Sequence, residues 1–243
     1  MNTTPLVYGI ENSPEFYAQV QLSKDIPSVC AEKLITGEVD LGLVPVAIIP
    51  KLKSAEIITD YCIGAEGKVK SVSLFSEVPL SEIEYIYLDY QSRTSVALCK
   101  ILCKEFWKIS PTFLPAEPGY EDKINKRTAA VIIGDRTFHL PKPYNFEFDL
   151  ADEWQKMTGL PFVFAAWVTN KKLPEAFISN FNSTLKFGLQ HLDNAIEQSK
   201  VKSISNAALK EYLTTFIKFD LTENKKKGLN LFLSKLDKFQ KNF

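Results

Sequence analysis

Tyr85-Ile-Tyr-Leu-Asp-Tyr-Gln-Ser-Arg-Thr-Ser-Val-Ala-Leu-Cys99 passes from an apolar run, through a polar corner, into a second apolar run of helical period. That succession predicts a strand ending at Asp89, a turn through Gln91 and Ser92, and a helix starting near Thr94. The first amides of a helix have no intrahelical acceptor, so such a corner aims N–H groups at one spot beside the hydroxyls of Ser92, Thr94 and Ser95. With the Arg93 guanidinium alongside, the spot suits a carboxylate or a phosphate. A plain helix cap accounts for the hydroxyl residues equally well, and Arg93 can equally face solvent or an ion pair.

Working outward toward the N-terminus, residues 57–63 and 69–75 read as strands around the turn Gly64-Ala-Glu-Gly67. Ser71 and Ser73 share one face of the second. That face is either a solvated edge or a polar wall of a site. Residues 39–49 read as a buried strand ending near Pro45, and residues 28–36, between Pro27 and Gly37, as a helix. The first residues form a loop entering a short helix, with Pro5 in its first turn and a bend at Gly9.

Toward the C-terminus the helix continues to about Trp107. A short segment near Phe113, a charged helix up to Arg127 and a strand ending in Gly134 and Asp135 follow. Residues 152–159 read as a helix capped by Gly159 and residues 161–168 as a strand. Beyond Leu173 the period is helical, with Phe177, Phe181, Leu185 and Leu189 on one stripe. Strands alternating with helices argue for an α/β fold with parallel sheets, whose loops converge at strand C-terminal ends. No repeat or linker divides the chain, which disfavours tandem domains. The layout expected is discontinuous: an outer lobe of residues 1–78 plus 162–243, and an inserted lobe of 79–161, facing each other across a small-molecule cleft.

Composition narrows the function. The 243 residues are 45% hydrophobic and 24% charged, with 29 basic and 29 acidic side chains, so no global field steers the chain to nucleic acid or to an acidic membrane. The chain shows no basic and apolar leader and no apolar run approaching a span, and the expected location is the cytoplasm. The four cysteines form no CxxC pair, and Cys99 and Cys103 continue an apolar helical stripe. His139 and His191 lack a neighbouring ligand at metal spacing, so no metal is expected. Gly-rich phosphate loops, GxSxG elbows and HExxH motifs are missing. The helical tail can pack on its own lobe or pair with a second copy, which leaves a homodimer open.

Several motifs together resemble one family. Asn2-Thr3-x-Pro5-Leu6, Gly37-Glu-Val-Asp-Leu-Gly-Leu-Val-Pro-Val46, residues 67–71, Ser92-Arg-Thr-Ser-Val96, Ile133-Gly-Asp135 and Thr158-Gly-Leu-Pro-Phe-Val-Phe-Ala-Ala-Trp167 run along nearly the whole chain. They resemble the chorismate dehydratases of the futalosine route to menaquinone. In that family an apolar strand usually precedes the Asn-Thr motif, whereas here the motif directly follows Met1. The resemblance implies the two-lobed fold of type II periplasmic-binding proteins with a ligand cleft between the lobes. It implies a hydro-lyase that converts chorismate to 3-[(1-carboxyvinyl)oxy]benzoate without a cofactor, the substrate's own enolpyruvyl carboxylate taking the ring proton. Carried over to this sequence, the catalytic positions are Asn2 and Ser71. Substrate-binding positions are Ser92, Arg93, Thr94 and Ser95 on one side, with Gly134 and Asp135 opposite. The rivals are the sister dihydroxynaphthoate synthase, whose opening motif and cleft His are not evident here, and a non-catalytic solute-binding protein for a small carboxylate.

Overall fold

The computed structural model describes residues 1–240, Gln240 by its backbone alone. In chain order it runs α1 (Thr4–Glu11), α2 (Pro14–Tyr17), α3 (Pro27–Thr36), β1 (Leu41–Pro45), β2 (Glu56–Ala65), β3 (Val72–Ser76), β4 (Tyr85–Leu88), α4 (Arg93–Leu102), β5 (Thr112–Pro115), β6 (Thr128–Ile133), β7 (Phe146–Asp149), α5 (Leu150–Thr158), β8 (Phe162–Thr169), α6 (Glu175–Gln190), α7 (Leu192–Glu197), α8 (Asn206–Glu211), β9 (Lys218–Asp220) and α9 (Glu223–Gln240). The strands form a four-stranded sheet, ordered β1-β8-β2-β9, and a five-stranded sheet, ordered β5-β4-β6-β3-β7. The chain passes from the first sheet to the second through residues 66–71 and returns through α5.

Two expectations need correction here. The four-stranded sheet is antiparallel throughout and the five-stranded sheet is mixed: β4 pairs parallel with β5 and β6, whereas β3, like β8 in the other sheet, runs antiparallel to both of its neighbours. Each is the first strand after a crossing, entering its sheet from the opposite lobe and therefore against the grain of the strands already there. The second correction concerns the lobe boundary expected at residue 79. The strand β3 lies inside the five-stranded sheet, between β6 and β7, with every residue buried. Ser73 is consequently no solvated edge residue; its hydroxyl donates to Glu147 Oε1 at 2.9 Å.

Local chemistry explains most elements. Gly37 ends α3 in a left-handed conformation (φ 77°), as a Cβ-free residue permits, and the Asp149 and Ser92 side chains cap α5 and α4. Gly9 makes no bend. It sits inside α1, where a Cβ would lie 2.3 Å from the Thr184 carbonyl oxygen, and Gly188 of α6 faces it under the same constraint. Its role is close helix crossing. The charged segment before Arg127 is only a 3-10 turn, Tyr120–Lys123. Strands β7 and β9 are four and three residues long, too short for a periodic signal.

One apolar core runs through both lobes and includes Leu34, Val44, Ile48, Leu74, Ile86, Leu98, Trp154, Phe162 and Phe232. A smaller cluster on the other face of the five-stranded sheet gathers Phe75, Tyr120, Ile124, Ala130 and Ile132. The two lobes thus pack directly on each other near the crossings, and Cys99 and Cys103 are free thiols inside that packing. No helix among the described residues is long and apolar enough to cross a membrane.

Candidate active site

The corner after β4 is built from behind by a buried carboxylate. Asp89 Oδ1 accepts the Gln91 amide at 2.7 Å, while Oδ2 accepts the Tyr120 hydroxyl at 2.6 Å and pairs with Arg136. Arg136 also reaches Glu121 Oε1 at 2.9 Å. Burial, together with the nearby Asp89 charge, holds the Tyr120 phenol well above its usual range, so it remains a donor. Arg136 is neutralised by two carboxylates and serves as a brace.

On that brace Ser92 caps α4, accepting the Ser95 amide at 3.2 Å, and its hydroxyl meets the Ser95 hydroxyl at 3.0 Å. The first-turn amides of Arg93 and Thr94 have no intrahelical acceptor. Thr94 is fully buried, and its Oγ accepts the Ala47 amide at 3.2 Å, a bond from the end of β1 in one sheet to the helix behind the other. The Thr94 hydroxyl donates to nothing among the described residues. Arg93 points elsewhere: its guanidinium is 3.5 Å from Glu32 at the exposed rim.

Ser71 lies at the other side of the junction, at the end of the first crossing. The backbone before it is strained, with Lys70 at φ 61°, a conformation that costs a non-glycine residue of order 1 kcal/mol. Asp149 holds it there. Its Oδ2 accepts the amides of Val69 and Lys70 at 2.8 and 2.7 Å, and its Oδ1 accepts those of Ala151 and Asp152 at 3.0 and 3.2 Å. One carboxylate therefore ties the outgoing crossing to the start of the returning one. Burial raises the Asp149 pKa, and the four amides oppose that shift.

The Ser71 hydroxyl is 3% exposed as a residue and sits 2.7 Å from the Tyr212 hydroxyl. Tyr212 opens a π-helical turn, Tyr212–Phe216, at the end of α8. Phe138 packs edge-on against its ring at 5.5 Å, and the Lys70 ammonium stands over the Phe216 ring at 4.3 Å. Tyr212 was not among the residues expected in the site. Its only sequence signal is membership of an apolar helical stripe, which marks it as core.

The remaining expected residues gather around Ser71. Its carbonyl accepts the Gly134 amide at 2.8 Å, and Gly134 turns through φ 65°. Asp135 Oδ2 accepts the Ser203 hydroxyl at 3.4 Å, and Oδ1 is 3.6 Å from the Met1 amino nitrogen. Asn2, in the turn leading into α1, is half-buried and next to that contact, with its side chain in no hydrogen bond among the described residues. The structure thus brings together Asn2, Ser71, Gly134 and Asp135, and separately Ser92, Thr94 and Ser95. Arg93 belongs to the rim.

An open groove of about 980 Å³, lined by Leu80, Tyr85, Trp107, Thr112 and Phe148, lies elsewhere on the five-stranded sheet and touches none of these residues. A smaller hollow of about 340 Å³ borders Asp135, Arg136 and His139. No group of three or more His, Cys, Asp or Glu side chains among the described residues is arranged to hold a metal ion.

Two α/β lobes joined by two crossings, with polar residues of both meeting at the junction, define a protein of the periplasmic-binding-protein type. A crystal structure of an Archaeoglobus fulgidus protein superposes with a TM-score of 0.72 at 12% identity, covering 100% of this chain and 95% of that one. A Parabacteroides distasonis protein described as an ABC transporter gives 0.61 at 16% identity, over 90% and 82% of the two chains. The expectation of a cytoplasmic location does not stand: the fold is shared with a protein described as an ABC transporter and does not assign the chain to the cytoplasm. The particular family follows from sequence. The chain belongs to the menaquinone biosynthesis family, whose profile matches residues 1–238. A chorismate dehydratase of Thermus thermophilus is 30% identical over 232 residues, 87% of this chain and 84% of the relative.

Proposed function

We propose that this chain is a hydro-lyase that dehydrates chorismate to 3-[(1-carboxyvinyl)oxy]benzoate in menaquinone biosynthesis. The observation that carries the reading is the junction itself. A buried serine hydroxyl at the end of the first crossing and a braced helix N-terminus bonded to the other sheet's side belong to a chain whose family contains chorismate dehydratases. Chorismate carries two carboxylates. The first-turn amides of Arg93 and Thr94, with the Thr94 hydroxyl as an unspent donor and the hydroxyls of Ser92 and Ser95, receive one of them. Arg93 contributes charge from the rim. Gly134 and Asp135 line the opposite wall.

The reaction balances within the substrate. The enolpyruvyl carboxylate takes the ring proton, the C–H electron pair becomes the new ring double bond, and the neighbouring C–O bond breaks. The departing hydroxide takes up the transferred proton and leaves as water. Aromatisation supplies the driving force. The protein's task is to hold the carboxylate against the ring hydrogen, which is worth at best on the order of 7–11 kcal/mol, and to place dipoles where charge appears. Asn2 and Ser71 are the groups we assign to that second task.

Incubating the purified protein with chorismate and following the product by chromatography tests the reading. Conversion to the enolpyruvyl benzoate is expected. Chorismate that binds and is recovered unchanged would instead make the chain a solute-binding protein.

A further inference from the structure

The Ser71–Tyr212 contact joins residues 141 positions apart, and both side chains are out of solvent. A single hydrogen bond between two hydroxyls can run either way. A phenol is the stronger acid and the better donor, an aliphatic hydroxyl the better acceptor. Burial raises the Tyr212 pKa, so the phenol keeps its proton at any working pH. Tyr212 Oη has no other hydrogen-bond partner among the described residues; were Ser71 the donor, the phenolic proton would be buried with no acceptor. With Tyr212 donating, the proton of Ser71 is the one left over. Asp149 fixes the backbone just before that serine through the Val69 and Lys70 amides, and the edge of Phe138 fixes the tyrosine ring from the other side, so the direction of the leftover proton is set by the fold.

We infer that Tyr212 is a positioning residue for dehydration: its phenol donates to Ser71 Oγ at 2.7 Å and thereby turns the Ser71 hydroxyl proton toward the substrate hydroxyl that departs. The inference rests on the dehydratase reading. Ser71 keeps its proton throughout; it supplies a hydrogen bond to oxygen as the C–O bond lengthens and negative charge builds there, and the proton that completes the water is the one removed from the ring. Donation from Tyr212 also makes the Ser71 hydroxyl a stronger donor, since chained hydrogen bonds polarise one another. Tyr212 itself touches no substrate atom.

The test is a two-by-two comparison of wild type, Tyr212→Phe, Ser71→Ala and the double variant, with chorismate turnover measured for each. Phenylalanine keeps the ring against Phe138, and a thermal melt verifies that each variant is folded. Tyr212→Phe is expected to lower kcat about tenfold with KM within twofold. In the Ser71→Ala background the same substitution is expected to change nothing further, because its target is gone. A residue with a merely structural role would lower both backgrounds alike. Multiplying effects in the double variant, or wild-type kcat in folded Tyr212→Phe, would overturn the inference while leaving the dehydratase reading standing. Absence of chorismate turnover in the wild type would overturn the reading, and the inference with it.

Discussion

The corner at Ser92–Ser95 and the junction at Ser71 hold hydroxyls of the same kind by opposite means. At the corner the groups are satisfied by close neighbours: Ser92 caps its own helix, and Asp89 three residues earlier anchors the turn. At the junction the Ser71 hydroxyl is satisfied by Tyr212, and the two amides before it, of Val69 and Lys70, by Asp149, both far away in sequence. A corner of the first kind forms wherever a strand turns into a capped helix, and its first-turn amides have no intrahelical acceptor. The junction exists only when the lobes and the C-terminal helices are assembled. In the function proposed above, binding is assigned to the first and chemistry to the second.

Removing Asp149 is the strongest way to break that contrast. Asp149→Ala strips four amides of their acceptor and frees a strained Lys70, and we expect a loss of roughly 3–5 kcal/mol. In calorimetry that corresponds to a Tm lower by on the order of 10 °C for a chain of this size. An unchanged melt would show that Lys70 needs no support. Next is Ser71→Ala, which should reduce kcat on chorismate by about 100-fold, the usual cost of losing one donor to developing charge. If KM rises and kcat holds, Ser71 is a binding group and the division of labour fails.

A pH series compares the two regions through their tyrosines. Tyr120 behind the corner and Tyr212 at the junction both have phenols raised by burial above the ordinary value near 10. In each case the unfolded chain ionises first, so the stability is whole below pH 10 and is lost as pH rises beyond it. The slope is up to about 1.4 kcal/mol per pH unit per tyrosine. Melts between pH 9 and 11.5 should therefore fall for the wild type and fall less steeply for Tyr120→Phe and for Tyr212→Phe. Equal slopes in all three would mean that neither phenol is shielded. The smallest effect is expected from Thr94→Ala, a KM about fivefold higher with kcat little changed, near 1 kcal/mol of lost carboxylate contact. An unchanged KM would make the corner a helix cap and nothing more.

The difference between the regions also explains what could be read before folding. The strand, turn and cap from Tyr85 to Leu102 are written in consecutive residues, and the helix closed by Gly37 likewise. Whole-chain motifs carried the family and its two-lobed fold. Asp89 was visible as the end of a strand but not as the anchor for Tyr120 and Arg136, because nothing local says which distant side chains share a buried carboxylate. Tyr212 looked like any apolar-stripe aromatic. The antiparallel placement of β3 and β8 was hidden for a related reason: strand direction is decided by how the chain crosses between lobes, and residues 66–71 carry no periodic signal of where they go.

The Asp149 carboxylate gathers amides from both crossings at a single point. Two of those amides, of Ala151 and Asp152, belong to the helix that Asp149 caps, and the other two, of Val69 and Lys70, belong to the outgoing crossing. The chain leaving one sheet and the chain coming back are thus knotted at a single carboxylate, and Ser71 stands one residue beyond that knot.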